Sequence, residues 1–123
     1  MRADEKLNMR LLDFTVKVVN LIQEFPKNTV SQHIGNQLMR AATSPGANYE
    51  EACGAESRRD FCHKMGIVLK ELKESRYWLR LAQRVPLIKP VSRLDPLLDE
   101  VEQLIAIFGK SINTARRPTT NDH

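Results

Sequence analysis

The sequence predicts an all-α fold, an antiparallel up-down-up-down four-helix bundle, and three observations carry that prediction. Apolar residues recur at steps of three and four through four long segments, the spacing that gives a helix one buried stripe. No segment alternates with the period of two that a half-buried strand requires. Prolines and capping residues fall between those segments, with Pro45 the exception. At 123 residues the chain has room for one domain, since domains commonly hold roughly 100–200 residues.

The first helix is marked by Leu7, Leu11, Phe14, Val18, Leu21 and Phe25, and Pro26 and Asn28 end it. The second is predicted to open at Thr29, with Gln32 three positions later at capping-box spacing. Its stripe is Val30, Ile34, Leu38, Ala41 and Ala42. Pro45-Gly46 then predicts a kink, because an interior proline removes a donor and crowds the preceding turn. A sharper reading makes that kink a bend that redirects the second half of the helix toward a neighbouring subunit. The helix resumes through Tyr49 and Ala52 to a stop at Gly54.

Ser57 and Asp60 cap a third helix, whose stripe is Phe61, Met65, Val68, Leu72, Leu79 and Ala82, interrupted only by Ser75. Pro86 and Pro90 bracket a linker. Ser92 with Asp95 is then predicted to cap a fourth helix, with Leu94, Leu98, Val101, Ile105, Phe108 and Ile112 on its buried side. The bundle takes residues 1–115. Residues 116–123, from Arg116-Arg117-Pro118 onward, read as a disordered tail. Helices of about 20–28 residues would be rods of about 30–42 Å. Short connections make sequential neighbours antiparallel.

Composition narrows the function classes. Apolar types make up 41% and charged types 28%, which excludes a disordered chain. No apolar run reaches the roughly 20 residues of a membrane span. The N-terminal Met1-Arg2-Ala3-Asp4-Glu5-Lys6 lacks the apolar core of a signal peptide, so the cytoplasm is the expected compartment. Cys53 and Cys62 match no common zinc or redox spacing and read as free thiols. His33 and His63 with those cysteines have only a generic spacing for a metal. Ser44 has no nearby histidine to act as a base, and there is no phosphate-binding glycine loop. Neither a catalytic residue nor a cofactor is predicted.

Charge is unevenly spread. Between Ser57 and Pro90 nine cations face only Asp60, Glu71 and Glu74, although the whole chain is only +4. Helical spacing gathers Arg59, His63, Gly66, Lys70, Lys73, Tyr77, Arg80 and Arg84 on the outward side of the third helix. Such a stripe suits a phosphate backbone, with Tyr77 available to stack on a base. An ordinary solvated face is the plainer reading, and Gly66 is either a tolerated surface glycine or a gap for close approach. A second stripe, Gln37, Arg40, Ser44, Asn48 and Glu51, runs along the second helix. It reads as a solvent face, a polar seam between helices or a subunit contact. The consecutive Tyr77 and Trp78 point about 100° apart, which predicts that one of them meets another subunit.

The run Gln37-Leu38-Met39-Arg40-Ala41-Ala42-Thr43-Ser44-Pro45-Gly46-Ala47-Asn48-Tyr49-Glu50-Glu51-Ala52 resembles the second-helix signature of the bacterial four-helix-bundle family, also called the 23S rRNA intervening-sequence protein family. The resemblance continues through Asp60-Phe61-Cys62-His63-Lys64-Met65 and Leu69-Lys70-Glu71-Leu72-Lys73-Glu74-Ser75-Arg76-Tyr77-Trp78-Leu79. Pro45 departs from the pattern, which usually has a helix-compatible apolar residue there. The resemblance implies a four-helix bundle that forms a homopentamer with a central passage. It also implies distant kinship to the accessory variability determinant of diversity-generating retroelements, a basic pentamer that binds nucleic acid and a reverse transcriptase. By the same resemblance Arg40, Ser44, Asn48 and Glu51 form a polar seam, and Glu71, Tyr77 and Trp78 do the equivalent on the third helix. Two functions are therefore expected to compete. One is RNA or DNA binding through Arg59, Lys70, Lys73, Tyr77, Arg80 and Arg84; the other is a scaffold in which this face meets an acidic protein.

Overall fold

A computed structural model describes residues 2–117. Four helices follow one another: α1 (Ala3–Ile22), α2 (Thr29–Cys53), α3 (Arg58–Arg84) and α4 (Asp95–Arg116), with a 3-10 turn over Val91–Leu94. There is no strand among the described residues. Cross-helix contacts fix the directions. A Cβ on Gly35 of α2 would meet Ile22 of α1, and one on Gly46 would meet Leu11. Arg76 and Gln83 of α3 reach Glu102 and Asp95 of α4. Between neighbouring helices the residue numbers run in opposite senses, as they also do between α2 and α3 in Arg40–Glu71 and Glu51–Lys64, so the bundle is up-down-up-down. Arg10 closes it by a forked hydrogen bond to Glu100 of α4, at 2.6 and 3.2 Å.

The core is one cluster drawn from all four stripes. Leu11, Phe14 and Val18 of α1 meet Leu38 and Ala42 of α2, Val68, Leu72 and Leu79 of α3, and Val101, Leu104 and Phe108 of α4. Tyr49 packs edge-on against Phe108, with centroids 5.3 Å apart. Ser75, the polar interruption in the α3 stripe, is fully buried. Its hydroxyl donates to the Glu71 carbonyl at 2.9 Å, so no polar group is stranded.

Several details differ from the sequence expectation. The α1 helix ends at Ile22 rather than near Phe25, yet Phe25 stays buried beneath the turn. The cap of α2 is Asn28 rather than Thr29, its side chain accepting from the Ser31 amide, because a cap lies just outside the helix it serves. Ser92 and Asp95 form no cap. Ser92 sits in the 3-10 turn, and Asp95 accepts from Gln83 instead. The buried stripe of α4 is also rotated: Leu97 and Leu104 are buried, while Leu98 and Ile105 pack half-exposed at its edge. Leu87 and Ile88, inside the predicted linker, are buried as well.

Pro45 does not break α2, which runs unbroken from Thr29 to Cys53 with Pro45 on its buried side. The Thr15 hydroxyl of α1 lies 2.9 Å from the Ala42 carbonyl, in the turn that the proline ring crowds. The fourth helix continues through Arg116, one residue beyond the predicted boundary. Arg58 holds its end by donating to the carbonyls of Ala115 and Arg117. The predicted tail over 118–123 lies outside the described residues.

Candidate nucleic-acid interface

The third helix presents two differently charged sides. Toward α2 its charges are neutralised. Arg40 bridges Glu71, at 3.2 Å, and Glu74, and Lys64 donates to Glu51 at 3.0 Å. Asn48 donates to the Ser44 carbonyl and hydroxyl at 3.0 and 2.9 Å. Of the three readings of the second-helix stripe, the contacts within one chain fit a polar seam between α2 and α3. Glu71 belongs to this seam. Trp78 lies beside it, half-buried against the core and edge-on to His33 and Tyr77. Its indole N–H is buried without an acceptor.

On the outward side of α3 most of the cations are unpaired among the described residues. Arg59, Lys70, Lys73 and Arg84 are exposed, and none forms an ion pair with a carboxylate among the described residues. Arg80 lies 3.9 Å from Glu102, a carboxylate already held by Arg76 at 2.7 Å. Tyr77 is 58% exposed, leaving a ring face in solvent. The residues predicted for nucleic-acid contact thus share one side of α3, five of them cationic and four of those unpaired.

Three residues on α4 extend this side and are not apparent from the α3 stripe alone. Gly109, Asn113 and Arg116 line a groove of about 610 Å³ with Gly66, Leu69, Lys70, Lys73 and Ile112. Arg116 also joins Arg59, Cys62 and His63 around the neighbouring hollow. The cue for Arg116 is the helical stripe Ile105, Phe108, Ile112, which continues in register to position 116. Both cysteines are free, Cys53 exposed and Cys62 half-buried. Among the described residues no group of three or more His, Cys, Asp or Glu side chains is placed to hold a metal ion. No described helix is long and apolar enough to cross a membrane.

The sequence profile of the 23S rRNA-intervening sequence protein family matches residues 5–110, spanning all four helices. The chain belongs to that family. Among solved structures, a protein of unknown function from the S23 ribosomal protein family of Bacteroides thetaiotaomicron VPI-5482 is 30% identical. The alignment covers 91% of this chain and 99% of that one, with a TM-score of 0.79. A comparison with curated proteins gives no match. The family match accounts for the four-helix fold and assigns no task to the basic side.

Proposed function

We propose that this protein is a non-enzymatic, oligomeric bundle that binds RNA or DNA through the basic side of α3. The observation that carries this reading is the contrast between the two sides of one helix. On α3 the flanking Lys64 and Arg76 are matched by Glu51 of α2 and Glu102 of α4, while the outward Arg59, Lys70, Lys73 and Arg84 are exposed and form no ion pair with a described carboxylate. Clustered, unpaired cations raise the local potential and attract polyanions. Phosphate neutralisation then releases condensed counterions, a gain that requires no sequence readout.

The test is charge reversal of Lys70, Lys73, Arg80 and Arg84 to Glu, followed by titration with a random-sequence nucleic acid. These positions are exposed, so helical content should be preserved while binding is abolished. Retained affinity in a folded variant contradicts the proposal.

A further inference from the structure

We infer that the groove between α3 and α4 is a binding site for single-stranded nucleic acid, an inference that rests on the basic-face reading above and narrows it. Two helical glycines, Gly66 and Gly109, line this groove. A glycine inside a helix costs about 1 kcal/mol relative to alanine, so its presence asks for a reason. Gly35 has one within the chain: a Cβ there would lie 3.2 Å from Ile22 and 3.4 Å from Phe25. Gly109 has none, since a Cβ there would meet nothing within 4 Å. Gly66 would meet only the Arg116 guanidinium, at 4.0 Å. The fold does not need either glycine, yet both open into the same groove.

The chemistry of the lining selects the occupant. Lys70, Lys73 and Arg116 rim the groove, Asn113 adds an amide, and no carboxylate lines it. Leu69 and Ile112 supply an apolar floor. A strand with one negative charge per nucleotide would match the cationic rim, and its sugars or bases would cover the floor. Tyr77 follows Lys73 by one helical turn with its ring exposed. Only an unpaired base can stack on such a ring, which favours a single strand over a duplex. Glycine at 66 and 109 lets the strand lie close to both helices.

The experiment is fluorescence anisotropy with a labelled mixed-sequence single-stranded RNA and the same sequence as a duplex, at low salt. Gly109→Leu fills the groove without changing charge, and Asn113→Glu places a carboxylate among its cations at an exposed position that any helix former can occupy. Lys27→Glu, in the loop between α1 and α2, is the charge control. The expected result is single-strand binding about tenfold tighter than duplex binding, weakened about tenfold by either groove variant and little changed by the control. Stronger duplex binding overturns the inference. So does single-strand affinity retained in both groove variants; if the fourfold α3 reversal still abolishes it, the basic face stands without the groove. Groove variants that lower the mass in light scattering and leave affinity intact mark a contact between copies instead. Failure of the unaltered protein to bind either probe removes the basic-face reading and this inference together.

Discussion

Gly109 and Gly35 make opposite predictions because one faces solvent and the other a buried aromatic ring. Gly109→Ala should raise stability by about 1 kcal/mol, the helix-propensity difference with no steric cost, read as a higher midpoint in chemical denaturation. Gly35→Ala should lose that gain to the crowding of Ile22 and Phe25, and its midpoint should fall. Nothing in the sequence distinguishes these two glycines, since the difference lies in what the neighbouring helix brings to each. The Glu24–Arg93 pair is a second contact of this kind. Two hydrogen bonds, at 2.9 and 2.8 Å, join the turn after α1 to the 3-10 turn. The Arg93 bonds hold the Glu24 carboxyl below the usual glutamate range. A depressed carboxylate contributes stability above its unfolded value, and that contribution is lost as pH falls through the lower, folded value. In an NMR titration Glu24 should therefore protonate below the usual glutamate range, and Arg93→Gln should return it to that range.

At the scale of the element, periodicity made the helices legible and chemistry at their ends did not. Each stripe identified its helix, because burying one side against the core is what chiefly stabilises a helix in a bundle, and the pattern recurs every turn. In the stripe of α4 Leu94, Val101, Phe108 and Ile112 are buried as expected, but Leu97 and Leu104 take the places expected of Leu98 and Ile105, since these neighbouring apolar positions offer two overlapping seams. Only packing against α3 chooses between them. Pro45 shows the same limit. A local rule predicts an interruption and a kink, yet α2 runs on as one helix through Pro45. Beside the carbonyl of Ala41, which the proline leaves without its usual donor, the Thr15 hydroxyl lies 2.9 Å from the Ala42 carbonyl and from the Leu11 carbonyl of its own helix. Thr15→Val should cost about 1 kcal/mol, the usual net worth of a buried hydrogen bond. A double-mutant cycle with Pro45→Ala should show coupling of at least about 0.5 kcal/mol. Additive effects would mean that the hydroxyl does not compensate the proline.

For the whole molecule, the uneven charge count was visible in the sequence, and the basic stripe followed from helical spacing. Its division into a neutralised seam and an open groove was not visible, because each depends on which helix lies alongside. The exposed apolar residues are also unevenly placed. Met9, Leu12 and Val16 of α1 stand 52%, 62% and 49% exposed at steps of three and four, forming one outward stripe. The oligomer proposed above can be tested here, since exposed apolar stripes of this kind are often buried where copies meet. Light scattering should return a multiple of the 14.1 kDa protomer mass, and Leu12→Glu should shift it toward the protomer. A 14.1 kDa particle at micromolar concentration would contradict assembly.

The central claim is that the unpaired cations of α3 meet phosphates. It is tested most directly by the salt dependence of binding to a random-sequence single strand. Engagement of Arg59, Lys70, Lys73 and Arg84 predicts a slope of log K against log salt of about −3, from roughly −0.7 per phosphate contact on single strands. A flat dependence, or a slope unchanged when Lys70, Lys73, Arg80 and Arg84 are reversed to Glu, would contradict it.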